Sequence, residues 1–116
     1  MINNQGITSD QMMEWLRKSN GNVYVSCMGE DGYPNISVRH VEMNGENALL
    51  YTDNANSRTV QLMMQSPKVI VNLLSDTDPY HGCKMKGEAK FEQTGESSLQ
   101  YTPVRVTIIL KEMFPY

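Results

Sequence analysis

Six short β-prone segments, cut apart by glycine-, asparagine- and proline-bearing turns, fill most of the chain between residues 23 and 111. Residues 23–28, 34–43 and 48–52 are predicted as the first three strands. Asp31-Gly32 and Asn44-Gly45 lie between them, and both dipeptides favour the primed turns that match the twist of paired strands. Three strands joined by two tight turns make an antiparallel meander. Residues 68–74, 83–92 and 101–111 are predicted as the fourth, fifth and sixth strands. Gly87 inside the fifth marks a bulge or a close backbone approach. A small antiparallel sheet must protect its edges, and closure is the usual way to do so. The expected fold is mainly β with minor helix: a six-stranded antiparallel barrel, closed or partly closed.

Two helices complete the pattern. Thr8 and Gln11 have the spacing of a capping box, and Ile7 and Met12 that of a hydrophobic staple. Met12, Met13, Trp15 and Leu16 continue as an apolar stripe, and Asn20-Gly21 ends it. A second helix is predicted over residues 57–65, between the third and fourth strands. Asn56 is its expected N-cap, Val60, Met63 and Met64 its apolar face, and Ser66-Pro67 its stop.

Composition excludes several functions. At 116 residues one domain is expected. A net charge of −3 without a basic block offers nothing to displace counterions from a nucleic-acid backbone, so no nucleic-acid partner is expected. Cys27 and Cys83 beside nine methionines do not make a disulfide scaffold and read as reduced strand residues. No run approaches the ~20 apolar residues of a membrane span, and no basic segment precedes an apolar run. The expected setting is cytoplasmic, with no membrane partner. His81 and Cys83 have no second ligand pair at usable spacing, so no metal site is expected. Neither a nucleophile elbow nor a phosphate-binding glycine loop occurs, and no catalytic residue is singled out.

Two stretches carry chemistry. Tyr51-Thr52 leads through Asp53–Asn56 into Ser57-Arg58-Thr59, which gathers hydroxyls and a guanidinium at the start of a helix. Free amides and the positive end of the helix dipole make such a place fit for an anion. The plainer alternative is a capping serine followed by a solvated arginine. The second stretch is the predicted second strand, where Asn35, Ser37, Arg39 and Val41 share one face and Ile36, Val38, His40 and Glu42 the other. It is too polar for simple core. The plainer alternative here is a half-exposed strand with Arg39 paired to a carboxylate.

The order of these pieces resembles the pyridoxamine 5′-phosphate oxidase-like superfamily, in its small general-stress-protein-like branch. The resemblance covers about residues 10–93. It rests on Asp31-Gly32-Tyr33-Pro34-Asn35 before the second strand, Tyr51-Thr52 followed by Ser57-Arg58, Pro67-Lys68-Val69 at the fourth strand, and Gly87-Glu88-Ala89 in the fifth. It implies a split barrel that dimerises with itself and binds FMN at the subunit interface. By the resemblance, Ser37, Val38, Arg39, His40, Val41 and Glu42 lie along the isoalloxazine ring, with Tyr51 and Thr52 at the end of the third strand. Ser57, Arg58 and Thr59 form the phosphate turn. The implied activity is FMN-dependent oxidoreduction with a small-molecule substrate or electron acceptor. Thr59 stands where true pyridoxamine phosphate oxidases carry lysine, and Phe114-Pro115-Tyr116 carries no basic segment for a substrate phosphate. Pyridoxamine phosphate is therefore not the expected substrate. His40 is the best candidate for proton transfer, since histidine titrates near neutrality. A non-catalytic FMN carrier or sensor, a barrel binding haem or a deazaflavin, and a structural dimer are the alternatives.

Overall fold

In the computed structural model the predicted second strand breaks at Val41, and that break curls the sheet towards closure. The structure describes residues 2–3, 8–75, 78 and 80–116. Its elements are β1 (Ile2–Asn3), α1 (Ser9–Lys18), β2 (Asn22–Met28), β3 (Pro34–His40), β4 (Glu42–Met43), β5 (Ala48–Asn54), α2 (Arg58–Gln65), β6 (Lys68–Leu74), β7 (Gly82–Gln93) and β8 (Pro103–Pro115). The strands run β3-β2-β6-β7-β8-β5-β4 in one sheet, and β1 adds to β8 in parallel. The chain from 34 to 43 therefore pairs with β2 at one edge through β3, and with β5 at the other through β4. Between them the Val41 amide leaves the ladder and donates to the Gly21 carbonyl at 2.8 Å. Only glycine suits that crossing: Gly21 has φ +76, and a Cβ there would lie 2.7 Å from the His40 ring. The result is the expected mainly-β split barrel. Its strand count exceeds six because one predicted strand is two, and because β1 was not foreseen.

The caps follow local chemistry. The Thr8 hydroxyl accepts from the Gln11 amide at 3.0 Å, as its spacing requires. Ile7, the other half of the expected staple, lies outside the described residues. Helix α1 ends in two left-handed residues, Asn20 (φ 57) and Gly21. It buries Met12 and Leu16 but leaves Met13 exposed, so its apolar stripe is narrower than predicted. The N-cap of α2 is Ser57, not Asn56; its hydroxyl accepts from the Val60 amide at 3.2 Å. That helix buries Val60, Leu62 and Met63 and exposes Met64, so Leu62 takes the place expected of Met64. At the first hairpin only Gly32 has positive φ, and the loop spans 29–33. Asp31 Oδ1 accepts from the Tyr33 amide at 3.1 Å, which shapes a wider turn than the two-residue one predicted.

Gly87 proves to be the close-approach point, and the bulge belongs to its partner strand. Lys86 pairs with Glu112 and Gly87 with Leu110, so Lys111 is the extra residue of β8. The slip keeps the core in phase. Val104, Val106, Ile108 and Leu110 point inward before it, and Met113 points inward after it.

Burial also sets the response to alkali. Burial pushes the Cys83 thiol up to about 11, from an ordinary value of 9.0. Tyr51 is raised as well, by burial first and then by the Asp53 carboxylate. Both groups ionise more easily in the unfolded chain, so their protonated forms stabilise the fold fully below pH 9. For Cys83 that stabilisation is lost as pH rises from 9 towards 11, and for Tyr51 only above its ordinary 10.0, at up to about 1.4 kcal/mol per pH unit per group. Urea midpoints compared at pH 8 and pH 10.5 are expected to fall, and Cys83→Ala is expected to flatten the fall.

Candidate functional site

Among the described residues strand β3 has one hydrogen-bonded neighbour, β2, and lies at the edge of the sheet. Its alternation puts Asn35, Ser37 and Arg39 on the half-buried face and Ile36, Val38 and His40 outside. The half-buried face meets β5 and the start of α2. Arg39 Nε donates to Asp53 Oδ2 at 3.0 Å, and Arg39 Nη1 donates to its neighbour's carbonyl, Val38 O, at 2.9 Å. The guanidinium carbon lies 6.0 Å from the centre of the Tyr51 ring. The carboxylate alternative for Arg39 is thus realised, and its partner comes from the chemistry-bearing stretch at the end of β5.

Asn35 stitches the other side. Its amide nitrogen donates to Thr59 Oγ1 at 3.2 Å and approaches Cys27 Sγ at 3.7 Å. Thr59 is buried. Burial raises the Cys27 thiol above its ordinary value. The Asn35 hydrogen bond, then Arg39, then Arg58 pull it back down. Both guanidiniums are therefore within electrostatic reach of one thiol. Arg58 itself is exposed, and no carboxylate among the described residues pairs with it. The amides of Arg58 and Thr59 open α2, where no intrahelical carbonyl can take them. On β3, between Asn35 and Arg39, the Ser37 hydroxyl oxygen is buried with no hydrogen-bond partner among the described residues.

The expected site residues thus divide. Ser37, Arg39, Tyr51, Ser57, Arg58 and Thr59 gather where β3, β5 and α2 meet. The Ser57 hydroxyl is engaged as the cap, the Thr59 hydroxyl is engaged by Asn35, and Tyr51 is buried with its hydroxyl 4.0 Å from Met63 Sδ. Val38 and His40 project from the outer face of the sheet, and Thr52 and Glu42 are exposed. Val41 is core. Three members of the cluster, Cys27, Asn35 and Asp53, were not among the expected site residues. The alternation that put Asn35 on the face of Ser37 and Arg39 was the available signal. Cys27 gave none, because a thiol in a strand also reads as core.

No protein-family model matches the chain, and no curated protein sequence matches it. Solved structures do match in shape. One is a Clostridium acetobutylicum protein related to general stress protein 26, of the pyridoxinephosphate oxidase family. It superposes with a TM-score of 0.71 at 16% identity, over 95% of this chain and 90% of that one. The haem storage protein HutZ from Vibrio cholerae gives 0.68 at 11% identity, over 94% and 95%. An F420 reductase gives 0.68 at 12% identity, over 80% and 88%. Likeness at such low identity is a likeness of fold, and these three names already span different ligands. What the resemblance in sequence implied about architecture holds: this chain has the fold of the pyridoxamine 5′-phosphate oxidase-like split-barrel proteins.

Proposed function

We propose that this chain binds FMN as a homodimer and acts as an FMN-dependent oxidoreductase on a small molecule in the cytoplasm. One observation carries the proposal: the Arg39–Asp53 and Asn35–Thr59 bonds bring β3 against the end of β5 and the opening turn of α2, where Arg58 is exposed. Among the described residues, only Arg39 of these two arginines is matched by a carboxylate. The residues fit a phosphorylated flavin. Arg58 and the opening amides of α2 suit its phosphate, and they replace the lysine that Thr59 does not supply. The unpartnered Ser37 hydroxyl suits a polar edge of the ring, and Arg39, held by Asp53, suits negative charge there. When bound, FMN supplies the electron or hydride chemistry, and the protein holds and tunes it. Neither described histidine joins the cluster. His40 is on the outer face, and His81 Nδ1 lies 2.7 Å from Asp78 Oδ2, so the site offers no imidazole to a haem iron.

A redox-silent FMN carrier is the second reading. It is favoured by the absence of a free acid or base in the described cluster: Asp53 is paired and Tyr51 is raised. Reduced nicotinamide added anaerobically separates the two. Bleaching of the bound flavin within seconds to minutes supports oxidoreduction, and a flavin that stays oxidised supports the carrier.

The dimer would form through the outer face of β2 and β3. Tyr24 pairs with Val38, Ser26 with Ile36 and Met28 with Pro34. Tyr24, Met28, Ile36 and Val38 are all exposed, which makes a contiguous apolar patch of the kind that marks an interface. Light scattering is expected to give a dimer mass for the wild type and a monomer mass for the Ile36→Glu, Val38→Glu double variant. FMN is expected to leave with the dimer. A wild-type monomer that holds flavin would contradict an interface-shared site.

A further inference from the structure

Asn54, the last residue of β5, has a side chain with three hydrogen bonds to described residues beside the cluster. Its Oδ1 accepts from the Asn56 amide at 3.1 Å and from the Thr102 amide at 3.0 Å. Its Nδ2 donates to the Gln100 carbonyl at 2.9 Å. Its own amide donates to Asp53 Oδ1 at 2.7 Å, on the carboxylate that grips Arg39. The Asn54 side chain thus joins the turn that presents Arg58 to the loop of residues 94–102 between β7 and β8, and its backbone amide adds the Arg39–Asp53 pair. The loop is further fastened by the Ala55 amide, which donates to the Thr102 carbonyl at 2.9 Å.

We infer that Asn54 is a positioning residue: it ties the 94–102 loop to the turn before Arg58, and that tie sets the placement of the phosphate-binding guanidinium. This inference rests on the flavin reading above. Two consequences separate it from a merely structural role. Because the tie acts at the phosphate end, it supports FMN but not riboflavin, which lacks the phosphate. Because linkage is reciprocal, bound FMN steadies the loop in turn.

The test uses two variants of the full chain, with FMN and riboflavin titrated by fluorescence. Asn54→Ser keeps a short hydroxyl that can reach the Asn56 amide but not the loop, whereas Asn54→Ala keeps neither. Both are expected to lose about tenfold in FMN affinity, the worth of one or two hydrogen bonds, with riboflavin affinity unchanged. If the alanine variant fails to fold, the serine variant decides alone. Hydrogen exchange at the Thr102 amide is expected to slow when FMN binds the wild type and not when it binds the serine variant. A serine variant with the wild-type preference for FMN over riboflavin would overturn the role of Asn54 and leave the flavin reading standing. A wild type that binds neither flavin would overturn both.

Discussion

Arg58→Ala is expected to weaken FMN binding by about 1.5–3 kcal/mol, roughly 10- to 150-fold in Kd. The size follows from the site's sparseness. Thr59 offers no second cation, its hydroxyl is buried against Asn35, and the Ser57 hydroxyl is committed to the cap. Arg58 is left as the one guanidinium there without a carboxylate partner among the described residues. Arg58→Lys is expected to recover part of the loss, since a lysine restores the charge but not the forked donor geometry. Neither change is expected to move the urea midpoint of the flavin-free protein by more than about 0.5 kcal/mol, because Arg58 is exposed. Unchanged FMN affinity in the alanine variant would remove Arg58 from the site.

Gly87→Val is expected to damage the fold severely. A Cβ at Gly87 would sit 2.5 Å from Ile108 Cγ2, 3.2 Å from the Ile109 carbonyl oxygen and 3.7 Å from Val69 Cγ2. Ile108 is fully buried and Val69 nearly so, and the neighbouring bulge at Lys111 fixes the register between β7 and β8. Neither strand can move aside without breaking the ladder. Overpacking of this kind costs about 1–3 kcal/mol, and the branched side chain belongs at the upper end. Combining it with Ile108→Ala is expected to cost less than the sum of the two single changes, because the second opens the space the first requires. Chemical denaturation reads both, and a Gly87→Val protein as stable as the wild type would contradict the packing described here.

The two glycine positions show what kind of structure was legible in the sequence. Gly87 stood out because glycine inside an alternating strand has no propensity reason to be there. The close approach it implied is real, but the extra residue is Lys111, on a strand whose pairing no local pattern specifies. The predicted second strand fails in the same way. Residues 34–43 change phase at His40-Val41, from apolar Ile36 and Val38 to apolar Val41 and Met43, but where the chain goes there depends on the Gly21 carbonyl, which takes the Val41 amide out of the ladder. Strand identity is a local property, whereas closure depends on contacts distant in sequence. The site divides along the same line. Ser57-Arg58 was legible because hydroxyl and guanidinium at a helix start have one obvious use. The pairing of Arg39 with Asp53 was legible only as a class of partner. Asn54 was invisible as a tie, because two of its partners, Gln100 and Thr102, depend on where the 94–102 loop lands.

The most direct measurement is the absorption spectrum of the purified protein, taken again after FMN is added and the sample desalted. A flavin spectrum that survives desalting, at one FMN per chain, is the expected result. A protein that comes through colourless would contradict FMN binding, and with it the role assigned to Arg39 and Arg58.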